Sequence, residues 1–300
     1  MKIVTNPGSN LPPQAIAHYG IALSPQQIVV GRDAHDTRTA IPYATIDRWI
    51  RTSPEFPHVV GTTAPEFVAL LGPLAKEDPE LCLVLSSKQI IQTHAAAVSA
   101  TKTLATAAAF KHVQAAVVDS RATDLATGLM TMAAGEARRA NLGLVRTQRM
   151  LEALADRTTM AFVPEALDNL VKGGRASWAR AQIANLLQLR PIIGFQKGEL
   201  VALERFKRGQ DEGDALLENA LRTHGPQRPV WVGIMHSDRS DERAIRLLSR
   251  ARATFDVRYA LIRPISPSIY LHAGPGSIGL IVMALDGLPW SPPPPSFGAD

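Results

Sequence analysis

Leu81-Cys82-Leu83-Val84-Leu85, closed by Ser86-Ser87, is an unbroken apolar run of strand length with hydroxyls at its end. A strand covered on one face alternates apolar and polar residues, whereas one apolar throughout is covered on both, as in a parallel sheet between helices. The flanking sequence agrees. Helical spacing runs from Glu66 to Leu74 before the strand, and an alanine-rich helix is expected from about Lys88 to Phe110 after it. Next come a strand at Ala115–Val118, the polar turn Asp119-Ser120-Arg121 and a helix over Asp124 to Arg139. Upstream, Lys2–Thr5 reads as a strand, Asn6–Asn10 as a loop, and Leu11-Pro12-Pro13 as the start of a helix reaching Tyr19. Strands are also expected at Gln27–Val30 and His58–Val60, with a polar loop over Gly31–Thr39 and a helix over Ile41–Trp49 between them.

Strands alternating with crossover-length helices give an N-terminal α/β domain, residues 1–157, with a parallel sheet covered by helices on both faces. After a helix near Val145–Ala155 the pattern changes. A strand at Met160–Val163, a short helix at Ala166–Val171 and the break Lys172-Gly173-Gly174-Arg175 precede a further helix to about Leu189. Pro191–Phe195 and Glu199–Glu204, joined through Gln196-Lys197-Gly198, form a hairpin with glycine at its turn. Val230–Met235 and Val257–Ile262 are strands flanking a helix over Asp241–Arg252. The reading is a second, mixed α/β domain with antiparallel strands, residues 158–287, the chain crossing between domains near 270–287. Residues 288–300, with Pro292 to Pro295 in sequence, read as an extended, loose tail.

A hydrophobic fraction of 46% against 20% charged residues is ordinary for a globular chain able to bury a full core. The one cysteine, Cys82, sits inside an apolar run, which excludes a disulfide framework within the chain. The opening Lys2–Thr5 run is too short for a signal peptide and no run approaches membrane-spanning length, so the expectation is a cytoplasmic chain with no membrane span. A net charge of +5 and a pI of about 9.5 raise nucleic-acid binding. The arginines are instead scattered among carboxylates along amphipathic segments, as on solvated helix faces, and no nucleic-acid partner is expected.

The stretch Ser268-Ile269-Tyr270-Leu271-His272-Ala273-Gly274-Pro275-Gly276-Ser277 lies between the apolar runs Tyr259–Ile262 and Leu280–Met283. It reads as a turn between strands, which either presents His272 and open backbone amides at Gly274 and Gly276 to a ligand, or is a tight connection with His272 as an ordinary polar side chain. In an open parallel sheet ligands sit beyond the carboxyl ends of the strands, here Asn6–Asn10, Thr62-Thr63, Ser86-Ser87 and Asp119–Arg121. No G-x-G-x-x-G or G-x-x-x-x-G-K-[ST] loop follows a strand, and the histidines are dispersed without metal-ligand spacing. No metal and no cofactor is expected. A hydrolase built from Ser87, His272 and Asp119 is the sharpest enzymatic alternative, and it lacks the G-x-S-x-G elbow.

Taken in order, Lys2–Thr5 with Asn10-Leu11-Pro12, Val118-Asp119-Ser120-Arg121 with Gly128, Leu170–Arg175, Pro191-Ile192 with Gly198, His236 with Asp238, and His272-Ala273-Gly274-Pro275-Gly276 with Gly279 resemble the DegV family over residues 1 to 285. The resemblance implies a non-catalytic bacterial protein of two α/β domains. It would bind a long-chain fatty acid in an apolar tunnel, with the carboxylate near the domain junction, and present it to a separate fatty-acid kinase. It also implies carboxylate contacts. Thr62-Thr63-Ala64-Pro65 matches the start of the family's Thr-Ser-x-Pro-Ser, which makes Thr62 the expected donor and Thr63 its alternate. Ser86-Ser87-Lys88-Gln89-Ile90-Ile91-Gln92 replaces the family's Ser-Ser-x-x-Ser-Gly-Thr, so Ile90 stands where a serine would donate and Ile91 where a glycine would sit.

The family's Thr-Asp-Ser-Thr-Ala-Asp is Thr5-Asn6-Pro7-Gly8-Ser9-Asn10 here, without either acid. Either recognition is rebuilt from Thr62, Ser87, Gln92, Thr93 and His272, or the chain is a divergent member that binds another ligand. Gly173-Gly174-Arg175 is read as a structural turn, and Arg205 as a basic position suited to a kinase partner or to an ordinary surface arginine.

Overall fold

The computed structural model describes residues 1–175 and 189–297; the helix expected between Arg175 and Leu189 lies outside the described residues. Elements in the first half are β1 (Lys2–Thr5), α1 (Pro13–His18), β2 (Ile21–Leu23), β3 (Gln27–Val30), β4 (Asp33–Asp36), α2 (Tyr43–Thr52), β5 (His58–Val60), α3 (Ala64–Glu77), β6 (Glu80–Leu85), α4 (Thr93–Thr106), β7 (Gln114–Asp119), α5 (Asp124–Arg139) and α6 (Leu144–Asp156). The second half carries β8 (Thr158–Val163), α7 (Asp168–Lys172), β9 (Leu189–Gln196), β10 (Glu199–Lys207), α8 (Glu212–His224), β11 (Pro229–His236), α9 (Glu242–Thr254), β12 (Asp256–Pro264), α10 (Pro267–Ala273) and β13 (Ile278–Ala284).

The Leu81–Leu85 run is the centre of a four-stranded sheet ordered β2-β1-β6-β7, parallel throughout, and each of those five residues is fully buried. A second sheet is six-stranded and mixed, ordered β10-β9-β8-β13-β11-β12, with β11 and β12 parallel and the other neighbours antiparallel. The expected hairpin is β9–β10, with Lys197 at φ 52° and Gly198 at φ 89° in its turn.

Helix α5 lies between the sheets. It packs on β1 and β6 on one side and on β8, β11 and β13 on the other, and every residue from Asp124 to Ala137 is buried. Its composition explains the position: Ala, Gly, Thr and Met on all sides leave no solvent face and allow close approach. At Gly128 a side chain would meet the Ser9 carbonyl at 2.4 Å, and at Gly135 the Tyr19 ring at 2.4 Å. Helices α3 and α4 cover the outer face of the parallel sheet, and α8 and α9 that of the mixed sheet. The order of layers is helix, sheet, helix, sheet, helix.

Several expectations need correction. His58–Val60 is not in the parallel sheet: β5 pairs antiparallel with β3 in a small sheet ordered β4-β3-β5, and the polar stretch expected as a loop supplies β4 through a turn at Gly31-Arg32. Half-exposed strands such as β5 do not suit a sheet covered on both faces. The parallel edge is taken by the short Ile21–Leu23 run, absent from the sequence reading. The helix expected from Lys88 begins at Thr93, because Ile90 and Ile91 turn back on to the Ser87 carbonyl. Ser268–Ala273 is helix, not turn; Pro267 opens α10 and Gly274, at φ 75°, closes it.

The C-terminal tail is not loose. Ser296 donates from its backbone N and its Oγ to Glu136 Oε1 (2.8 and 2.7 Å), and Phe297 packs at 6.4 Å between ring centroids from Tyr19. Proline fixes the extended backbone, and the apolar residues beside it find the body.

Candidate functional site

A slot opens where the β6, β7 and β1 ends face α10, α7 and the β9–β10 hairpin. Its free space, open mouth included, is about 660 Å³. Only about 70 Å³ of it is wide enough for the centre of a water-sized sphere, so the space is narrow. Met160 and Phe162 enter from alternate positions of β8, with Phe195 and its register partner Leu200 beside them. Ile90 and Ile91 are also in this wall, and the cavity persists with both present.

Polar atoms enter at three places. Asn6, Gln26, Ser86 and Thr123 form a connected group: Asn6 Nδ2 donates to Gln26 Oε1 (3.2 Å) and Ser86 Oγ (3.1 Å), Ser86 N donates to Asn6 Oδ1 (3.0 Å), and Ser86 Oγ lies 3.2 Å from Thr123 Oγ1. Helix α10 turns Ser268, Ile269, His272 and Ala273 toward the slot, the i and i+4 spacing placing them on one face. Arg175, just beyond α7, is the third.

Helix α10 is held by contacts that reach across the chain. Asp124, fully buried at φ 49°, accepts from Ser266 N (3.1 Å), Ser266 Oγ (2.9 Å), Asn10 Nδ2 (2.7 Å) and Leu125 N (2.9 Å). Burial pushes its pKa up, and these donors oppose that shift. Tyr270 stacks on Tyr43 of α2 at 3.8 Å and donates to Asp47 Oδ1 at 2.9 Å.

Both ring nitrogens of His272 are buried without a hydrogen-bond partner among the described residues. Loss of water, with the nearby Arg175 charge, lowers its pKa to about 3, so the imidazole is neutral near pH 7. Gly173 closes against it, and a methyl there would lie 2.3 Å from Nδ1. Arg175 donates to the Ile90 carbonyl. Burial lowers its pKa, and no carboxylate among the described residues offsets that effect.

Of the ligand-binding residues expected from sequence, His272 lines this slot, whereas Thr62, Thr63, Ser87, Gln92, Thr93, Gly274 and Gly276 do not stand in its wall. Thr62 Oγ1 lies within hydrogen-bond distance of Ser24 Oγ (2.7 Å) and the Pro25 carbonyl. Thr63 caps α3 in a reciprocal box with Glu66, the structural role that Thr and Glu three apart commonly take. Ser87 Oγ donates to the Gly198 carbonyl (2.7 Å), tying the parallel sheet to the hairpin of the mixed one. Gln92 is exposed at the start of α4, and Thr93 is buried against Gly61 with its hydroxyl unpartnered. Gly274 and Gly276 have φ of 75° and 70°, and their carbonyls accept from Ser237 Oγ (2.9 Å) and Arg243 Nη2 (2.7 Å).

The Ser87–His272–Asp119 arrangement is not assembled, since His272 touches neither partner and Asp119 accepts from the Arg121 and Lys88 backbone. The sequence alone reads Arg175 as part of a turn. An arginine directly after two glycines and a short apolar helix was the available signal, and it does not separate a surface turn from a cavity wall. No three His, Cys, Asp or Glu side chains among the described residues group as metal ligands, and no described helix is long and apolar enough to cross a membrane.

Comparison with known proteins adds to this geometry. A curated relative described as a fatty acid-binding protein, from Thermotoga maritima, is 26% identical over 295 residues, covering 95% of this chain and 98% of its own. A DegV domain-containing protein of Streptomyces coelicolor is 26% identical over 93% of this chain and 97% of its own. Among solved structures, a DegV family protein from Thermus thermophilus, described by its fatty acid binding, superposes with a TM-score of 0.85 at 21% identity, covering 95% of this chain and 99% of that one. DegV of Bacillus subtilis, described as a fatty acid binding protein, superposes with a TM-score of 0.79 at 20% identity over 94% and 98%. With the DegV family profile matching residues 1–285, two α/β sheets joined through α5, and the same fold in these structures, the chain belongs to the DegV family.

Proposed function

We propose that this protein binds a long-chain fatty acid and performs no chemistry on it. The observation that carries the reading is a half-buried guanidinium, Arg175, beside the imidazole of His272 in the wall of a narrow apolar slot, the first without a carboxylate and the second without a hydrogen-bond partner among the described residues. A partly buried cation without a counter-charge is costly, and an anionic headgroup offsets that cost while the neutral imidazole supplies one N–H. An acyl chain in the slot contributes about 0.8 kcal/mol for each methylene buried. The relatives described as fatty acid-binding proteins support the same ligand class.

In this reading the headgroup set is Arg175 and His272, and the Asn6–Gln26–Ser86–Thr123 group supplies a second polar position. The isoleucines at 90 and 91 add apolar wall in place of a donor. Presentation of the carboxylate to a separate fatty-acid kinase belongs to the same reading. Native mass spectrometry of freshly purified protein, followed by denaturing extraction and lipid analysis, tests it. A stoichiometric long-chain fatty acid in the wild type, reduced at least tenfold in Arg175→Gln, is the expected result. Protein that is empty, and stays empty after incubation with fatty acids, overturns it.

A further inference from the structure

A second pocket lies on the other side of the Asn6–Ser9 segment from the slot. Asn6 and Gly8 line the slot while Pro7 and Ser9 line the pocket; in the same way Ser268 faces the one and Pro267 the other. The two spaces share a thin partition and are separately lined. The pocket is wider, with about 860 Å³ of free space including its mouth, of which about 300 Å³ admits the centre of a water-sized sphere.

Its walls are largely apolar, with Ile16, Leu23, Ile41 and Ile265 contributed by four separate segments. Its charged residues are Arg38 and Arg263, and no carboxylate lines it. Arg38 is spent on Asp36, with Nε 2.9 Å and Nη2 2.6 Å from Oδ2. Arg263 has no ion pair among the described residues, and its Nε is buried without a hydrogen-bond partner. Ser9, only 1% exposed, likewise has an Oγ with no partner. Unmade hydrogen bonds of this kind each cost roughly 1–3 kcal/mol, and native proteins leave few of them. The Ser9 hydroxyl and the Nε of an unneutralised guanidinium, both unpartnered in one pocket, are the complement of an oxyanion.

We propose that this pocket is a second ligand site, taking a small anion that carries an apolar group. Arg263 supplies the opposite charge, the Ser9 hydroxyl a hydrogen bond, and the isoleucines the apolar contact. A carboxylate and a phosphate ester share this chemistry. The proposal does not rest on what occupies the slot.

Calorimetric titration of the full-length protein, as purified and loaded with fatty acid, with hexyl phosphate and with hexanoate tests it, with hexanol as the uncharged control. Saturable one-to-one binding of at least one anion is expected, and which of them binds identifies the phosphate or the carboxylate as the ligand class. Binding should weaken at least tenfold in Arg263→Gln and be lost in Ile41→Trp, which fills the pocket from its rim, while extraction after the titration still recovers any slot-bound lipid. The proposal is overturned by no saturable binding of either anion, by equal affinity in both variants, by hexanol binding as tightly, or by release of the slot lipid in exchange for the probe.

Discussion

His272 is a base kept neutral by its surroundings, and that state has a measurable consequence. Its pKa falls from 6.5 in the unfolded chain to about 3 in the fold, so between these values the unfolded state binds more protons. Stability from this group is therefore fully present above about pH 6.5 and is lost as pH falls toward 3. His272→Phe should flatten the acid side of the stability curve, with the gap between wild type and variant changing progressively below pH 6.5 in urea unfolding. An unchanged slope would mean the imidazole is not held neutral. Asp124 has the opposite character, a carboxylate satisfied by four donors at a positive φ. Asp124→Asn turns one acceptor into a donor facing donors and should cost roughly 3 kcal/mol in urea unfolding. Neither environment is written in neighbouring residues: His272 owes its state to Gly173 and Arg175, and Asp124 to Asn10 and Ser266.

Helix α10 is the element on which the site depends. One face points into the slot, Ser266 anchors its start to Asp124, and Tyr270 holds it to α2. Proline at its first position and glycine after its end are helix signals that the sequence reading assigned to a turn, because seven residues carry too little periodicity to show a face. Gly173, the residue after α7, packs against α10 with φ −77°, so a methyl there brings no backbone strain. Gly173→Ala should displace the imidazole and reduce bound lipid severalfold by extraction, with about 1–3 kcal/mol lost from overpacking. The β9–β10 hairpin makes a contrasting case. Ser87→Ala removes its bond to Gly198 and should lower stability by about 1 kcal/mol while leaving lipid content unchanged.

On the scale of the molecule, the tail beyond the family match acts as a strap. Removing residues 288–300 strips both Ser296 donors from the buried Glu136 and uncovers the ground under Phe297, Trp290 and Leu288. The truncated chain should lose roughly 4 kcal/mol in urea unfolding. It should retain its lipid, since no described tail residue lines the slot. The alternation of apolar strands with long helices, the hairpin at Lys197-Gly198 and the fully buried Leu81–Leu85 run were legible from residue order, because period and composition act over a few neighbours. The same local signals failed for His58–Val60, whose sheet was decided by a partner strand thirty residues upstream, and for Thr62 and Ser87, whose hydroxyls satisfy distant backbone. Sequence alone determined the elements, their α/β class and, through ordered motifs, the family. Tertiary structure decided that Arg175 and His272 share one apolar wall, because burial and the lack of a counter-charge are properties of packing between segments nearly a hundred residues apart.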